Sequence, residues 1–340
     1  MKIDEILIRL TQDKARGGGV SVSWPRREAE RLFIGKPAGE VLALTPRLFS
    51  LCAHAQTLAA RLALACAAGK AAQASPQELQ SLAQEAARET LRKLLTDWAL
   101  AFDGKAAEPA ALAAWRAAGS LSALKALAEQ QVFGQACDDW LQRSEAGWLD
   151  WAAEGRMPAA RWLAALTGPE RGCALLPPLS AGQLANRLAD WIRPGGPVWQ
   201  GQPRETGALA REHRQLSRTL AAGQLARARL LARLIQLARG LNGELCLQAA
   251  AAPLPDGALA LVDTARGPLT HLAALDDEGC VTRYRVIPPT AWHSHPEGLL
   301  RETLCSRLDD GEAEWRRQAA LIDPCVAWRL AVENKECAHA

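Results

Sequence analysis

The sequence predicts a mainly α-helical protein with a small antiparallel β-sheet toward its carboxyl end, an α+β architecture. Two observations carry that reading. From Pro46 to about residue 240, Leu, Ala and Cys recur every three or four positions between Pro/Gly breaks, the spacing of helices with one buried face. After Gly243 the texture changes to three short apolar runs bounded by turn residues. Composition agrees: 340 residues, 49% of them hydrophobic and 23% charged, supply a sizeable core and rule out a disordered, collagenous or small disulfide-stapled chain.

The elements follow in order. The opening MKIDEILIRLTQDK carries a charge every few positions and lacks the apolar core of a signal peptide. No apolar run approaches the ~18 residues that cross a bilayer. The chain therefore reads as cytoplasmic, without membrane insertion and with reduced thiols. In residues 1–45, the Gly17-Gly18-Gly19 turn and the alternating Val20–Trp24 predict one or two short strands and a connection. Residues 46–242 form a helical body, beginning with a helix from Pro46 to about Gly69. Ser75-Pro76-Gln77-Glu78 then opens a helix to about Phe102, with Ser75 as the cap, Pro76 in the first turn and Glu78 at the capping-box spacing. Further helices fill 108–167, 180–193 and 205–240, separated by breaks such as Pro177-Pro178 and Pro194-Gly195-Gly196-Pro197. Residues 243–296 hold the sheet, with strands over 257–263, 268–275 and 280–287 and a tight turn at Asp276–Gly279. Pro288-Pro289 ends the third strand, and residues 297–340 give a final helix near 297–321 and the Asp323-Pro324-Cys325 segment. The whole reads as a single large domain.

Forty basic against 37 acidic side chains leave a net charge of +3, too little to imply a polyelectrolyte partner. Arg211, Arg214, Arg218, Arg227, Arg229 and Arg233 lie along one helical stretch and read as a solvated or partner-facing surface. No aromatics interleave them for base stacking, so no nucleic acid is expected. Trp140, Trp148 and Trp151 read either as core or as a docking surface. Nine scattered cysteines without a CxxC pair exclude a zinc ribbon and a thioredoxin motif, and most read as packing thiols. His293 and His295 share a face of an extended segment but lack a third zinc ligand nearby. His54 and His271 read as hydrogen-bonding groups, and Cys337 with His339 as a loose tail.

Three separated segments carry a more specific signal. They are Arg47-Leu48-Phe49-Ser50-Leu51-Cys52-Ala53-His54-Ala55-Gln56, then Asp263-Thr264-Ala265-Arg266-Gly267-Pro268-Leu269-Thr270-His271 with Tyr284 and Pro289-Thr290-Ala291-Trp292, and finally Asp323-Pro324-Cys325-Val326-Ala327-Trp328. In this order they resemble the large subunit of nickel–iron hydrogenases, with its RxCGxCxxxH, EAPRGxLxH, PTxWN and DPCxxCxxH motifs. The resemblance runs from about residue 28 to 331 of a substantially shorter chain and implies an abridged large-subunit-like helical bundle. Two of the four family cysteines persist, as Cys52 and Cys325; the other two positions are Phe49 and Trp328, and the closing histidines are Gln56 and Ala331. Nickel in that family needs four sulfur ligands, so the resemblance implies neither nickel nor hydrogenase catalysis.

What remains suits a smaller task. The resemblance implies Cys52 and Cys325 as the metal ligands for an iron–cyanide–carbonyl group held transiently. Arg266 would stand beside the cyanides, where charge-assisted hydrogen bonds favour it. Pro289 and Thr290 would add polar contacts, and Phe49 and Trp328 an apolar wall. The combination resembles the HupK/HoxV-type hydrogenase expression/formation proteins. It implies a non-catalytic maturation scaffold that passes the group to the hydrogenase large subunit and meets the small maturation chaperone and its iron–sulfur partner. A degenerate metal-dependent oxidoreductase and a metal-free large-subunit mimic acting as a binding module are the alternatives. With Ala331 in place of the last motif's His and no long extension after it, no carboxyl-terminal trimming is expected. An intact mass ending at Ala340 agrees with this, and truncation near Ala331 overturns it.

Overall fold

The computed structural model describes residues 4–13 and 18–335. Seven strands occur among them: β1 (Glu5–Asp13), β2 (Gly19–Ser23), β3 (Ala249–Leu254), β4 (Gly257–Thr264), β5 (Gly267–Leu275), β6 (Val281–Ile287) and β7 (Ala327–Lys335). They form two sheets with helices between and around them, in the orders β2-β1-β7 and β3-β4-β5-β6.

The expected sheet is present and gains a strand. The three predicted runs are β4, β5 and β6, all antiparallel, and Asp276 closes the β5–β6 turn by accepting from the Glu278 and Cys280 N–H groups. The additional β3 is rich in Ala and holds Pro253, so it carries little strand propensity of its own and exists by pairing with β4.

The second sheet departs from expectation. β1 pairs antiparallel with β2 and parallel with β7, Ile6 facing Trp328 and Leu10 facing Val332. Ile6, Ile8 and Leu10 alternate inward with Val20 and Val22, and pack on Leu299, Leu300 and Leu304 of the helix Leu299–Cys305 and on Trp315 of the helix Glu312–Ile322. The single final helix expected over 297–321 is thus two, separated at Gly311, which adopts the left-handed φ of +85°.

The helical body matches the periodicity from Ser75 onward. The Ser75/Glu78 capping box forms, and the helix Pro76–Lys93 runs on through a π turn at Leu94–Trp98 to Asp103. At its centre lies the helix Leu225–Asn242, almost wholly buried. Gly240 permits its close crossing of Pro76–Lys93, because a Cβ there would stand 2.8 Å from that of Ala87.

Burial on all sides corrects the reading of the arginine stripe. Arg229 and Arg233 are buried: Arg229 is gripped bidentately by Glu205 at 2.8 and 3.0 Å, and Arg233 donates to the Ala265 carbonyl. Arg214 and Arg218 remain exposed. Trp140, Trp148 and Trp151 are core, not a docking surface. Trp140 stacks on Trp148 and meets Trp151 edge-on, and the latter two indoles donate to the carbonyls of Trp140 and Phe133. Replacing Trp140 with Ala is expected to cost about 3–5 kcal/mol in urea unfolding, whereas a docking residue would leave the midpoint unmoved.

Candidate functional site

Cys52 owes its position to a break in the first helical region. One helix from Pro46 was expected. Instead the helix Ala38–Leu48 ends at Phe49, a short turn spans Ser50–Cys52, and the helix Ala53–Ala67 leaves at 93° to the first. Cys52 occupies the cap position of this second helix, yet its sulfur does no capping. Glu85, on Pro76–Lys93, serves instead: its carboxylate accepts from the His54 and Ala55 N–H groups at 2.7 and 3.0 Å. A carboxylate at the positive end of a helix is favourable, and the arrangement leaves the thiol free for another purpose.

Arg266 sits on the tight β4–β5 turn, followed by Gly267 at a φ of +128°. A Cβ at Gly267 would collide with the Thr206 hydroxyl at 2.3 Å. That hydroxyl donates to the Arg266 carbonyl and anchors the turn. The buried guanidinium donates through Nη2 to Glu89 at 2.6 Å and Asp323 Oδ1 at 3.2 Å, and through Nε to the Asp323 carbonyl at 3.0 Å. No bond from Nη1 occurs among the described residues.

Asp323 is where the last helix stops, in a left-handed conformation (φ +60°) before Pro324. Its buried carboxylate meets Arg266, Lys93 at 3.1 Å and Arg233 at 3.5 Å. Burial alone would raise its pKa; these three cations outweigh it and hold the carboxyl down at about 2. Burial likewise opposes charge on Arg266, and Asp323 and Glu89 more than offset it, so its pKa rises. Counting Arg92, paired with Glu89, and Asp97, paired with Lys93, the cluster sets four cations against three carboxylates.

Two residues beyond Asp323 lies Cys325. The Thr290 hydroxyl accepts from its N–H at 3.1 Å and donates to its sulfur at 2.8 Å. Cys52, Cys325, Arg266 and Pro289 all border one cavity of about 40 Å³, with Leu51, Leu82, Leu269 and Pro288 supplying its apolar surface and Glu85 and Glu89 its acidic one. Burial, and then the neighbouring Cys325, push the Cys52 thiol up to about 12. Two thiols fill two coordination positions, so a metal held there must bring further ligands.

Three expectations change here. Thr290 is not on the cavity wall; its hydroxyl is spent on the N–H and sulfur of Cys325, so it positions that thiol. Phe49 and Trp328 do not line the cavity either, since Phe49 packs beneath the four-stranded sheet and Trp328 rides on β7 against the other cores. His293 bonds to Thr206 at 2.9 Å and His295 accepts from the Glu297 N–H. His54 bonds to the Glu78 carbonyl. Cys337 and His339 lie outside the described residues. Among the described residues no three His, Cys, Asp or Glu side chains converge as an ion site, and no single helix is long and apolar enough to cross a membrane. Sequence reasoning missed Glu85 and Glu89, whose i,i+4 spacing on the predicted helix was the available signal.

Replacing Asp323 with Asn leaves Arg266, Lys93 and Arg233 short of their counter-charge, and is expected to cost about 3–5 kcal/mol at neutral pH. Because its folded pKa is depressed, Asp323 stabilises above the ordinary value of about 4, and that contribution disappears as pH falls toward about 2. Urea unfolding across pH 2–7 should show that slope in the native protein and a weaker one in the variant.

No family model matches the chain. Its relatives are similar over nearly their whole length. A hydrogenase expression/formation protein HupK of Azotobacter vinelandii is 32% identical, with 96% of this chain and 97% of the relative covered. The hydrogenase expression/formation protein HoxV of Cupriavidus necator is 32% identical, covering 95% and 94%. Among solved structures, an NAD+-reducing [NiFe]-hydrogenase chain matches with a TM-score of 0.53 at 15% identity, covering 93% of this chain and 94% of that one. A [NiFeSe] hydrogenase variant from Desulfovibrio vulgaris Hildenborough reaches 0.58 at 12% identity, covering 90% and 92%. These structures establish the nickel–iron hydrogenase large-subunit-like fold. With that fold and relatives above 30% identity from end to end, the chain belongs to the HupK/HoxV family of hydrogenase expression/formation proteins.

Proposed function

We propose that this protein acts in hydrogenase maturation as a non-catalytic scaffold, holding an iron–cyanide–carbonyl group as cargo for transfer to the hydrogenase large subunit. One observation carries the reading: Cys52, Arg266 and Cys325, far apart in sequence, border the same small cavity. In that reading the two sulfurs tether the iron, whose cyanides and carbonyl complete its coordination. Two thiolates and two cyanides outweigh the charge on iron(II), so the tethered complex is anionic. The Arg266 guanidinium and the cationic excess behind it suit such a guest, and Leu51, Leu82 and Leu269 suit the carbonyl. The proposed partners are the small maturation chaperone and its iron–sulfur partner on the supply side, and the large subunit as recipient. The relatives' names as expression/formation proteins support the maturation role.

Loss of two of the four family cysteine positions to Phe49 and Trp328 argues against the oxidoreductase alternative. Retention of Cys52, Cys325 and Arg266 around one cavity argues against the metal-free mimic.

Infrared spectra of protein purified without oxygen from a hydrogenase-competent cell test the proposal. Cyanide and carbonyl stretches are expected in the native protein and in Cys246→Ala, which alters an exposed thiol, and are expected to vanish in Cys52→Ala and Cys325→Ala. A native protein without those bands, or bands that survive both replacements, overturns it. Hydrogen uptake by the pure protein would favour the oxidoreductase. Deleting the gene should abolish hydrogenase activity and leave the large subunit untrimmed; normal activity in the deletion strain counts against a maturation role.

A further inference from the structure

An ordered chain of hydrogen bonds leads away from the cavity behind Cys52. Gln56 lies one helical turn beyond Cys52, its side-chain Nε2 3.6 Å from the sulfur. Its Oε1 is 2.8 Å from His271 Nε2 on β5, and His271 Nδ1 is 2.8 Å from the Tyr284 hydroxyl on β6. All three side chains are buried, His271 completely.

The protons in this chain can be assigned by satisfying each group. Burial holds the His271 ring far below its ordinary range, at about 3, so it is neutral and carries one N–H. Among the described residues, the Tyr284 hydroxyl has His271 as its one hydrogen-bond partner, so its proton points at Nδ1. The imidazole proton is then on Nε2 and is donated to Gln56 Oε1. A carboxamide with its oxygen so engaged must turn its NH₂ the other way, toward Cys52. The reverse tautomer would call for the reverse amide, with a carbonyl oxygen facing the sulfur lone pairs.

We infer that Tyr284, His271 and Gln56 form a built-in orienting device that presents an N–H donor to the Cys52 sulfur and so tunes its electron donation to a metal. The inference rests on the reading of Cys52 as an iron ligand. A thiolate that accepts an N–H bond gives less charge to its metal, which is how groups behind a ligand adjust what the ligand holds. Tyr284 borders a separate surface groove with Leu272 and Arg283, not the cavity. Any effect it has on the cargo therefore travels through His271 and Gln56. The three are positioning residues, and Gln56 alone touches the ligand.

Two measurements test this. The first is the infrared spectrum of the loaded protein. In Gln56→Leu the cyanide and carbonyl bands should persist but move to lower wavenumber, because a sulfur without its donor pushes more charge onto iron. Tyr284→Phe, which unlocks the tautomer without altering the cavity wall, should move or split the same bands. Bands that are present but unmoved in both variants overturn the inference and leave the scaffold reading standing. Absence of bands from the native protein removes both. The second measurement needs no cargo, and so survives a variant that fails to fold. In ¹⁵N-histidine NMR of the native apoprotein, His271 should be the Nε2–H tautomer, and an Nδ1–H signal overturns the assignment.

Discussion

The site depends on one buried carboxylate. Asp323 joins an arginine from the β4–β5 turn, a lysine from Pro76–Lys93 and an arginine from Leu225–Asn242, three elements that share no local sequence. Such buried pairs add little net stability compared with apolar packing, since desolvation consumes most of the Coulombic gain. Their value here is geometric. A carboxylate that must satisfy three cations has few acceptable positions, and Cys325, two residues on, inherits that restriction. Thr290 removes the remaining freedom by holding both the N–H and the sulfur of Cys325. On the other side, Glu85 fixes the helix start that carries Cys52. The two thiols are thus located by separate carboxylates on an otherwise apolar scaffold.

That arrangement gives the cavity a neutral thiol beside a charged guanidinium, with Glu85 and Glu89 on the same wall. Burial disfavours the Cys52 thiolate strongly, while Arg266 remains charged under the influence of Asp323 and Glu89. Binding a metal through Cys52 must therefore expel a proton.

Much of this was legible in the sequence where the signal is local. The Ser75-Pro76-Gln77-Glu78 cap, the Asp276–Gly279 turn and the helical periodicity from Ser75 onward each state a short-range physical preference, and each is realised. The meeting of Cys52, Arg266 and Cys325 followed from motif order. What was not legible depends on partners distant in the chain. β1 carries its own alternation at Ile6, Ile8 and Leu10, but nothing local announces that its parallel neighbour is β7. Arg229 and Arg233 look solvated until Glu205 and the Ala265 carbonyl are placed beside them. The turn at Phe49–Cys52 was hidden because Pro46, read as a helix start, is accommodated inside Ala38–Leu48. Thr290 sits in the expected segment but faces the thiol, a choice that only the three-dimensional path of the Asp323-Pro324-Cys325 segment decides.

The pairing of β1 with β7 places a limit on when the cavity can exist. Cys52 and Arg266 are made long before Asp323 and β7, and β1 must wait for almost the entire chain before its parallel neighbour leaves the ribosome. A nascent chain therefore carries one thiol and an Arg266 offset by Glu89 alone, but no second sulfur and no Asp323 clamp. The two thiols and the Asp323 clamp therefore come together only after the Asp323–Cys325 segment has been made and β7 has paired with β1.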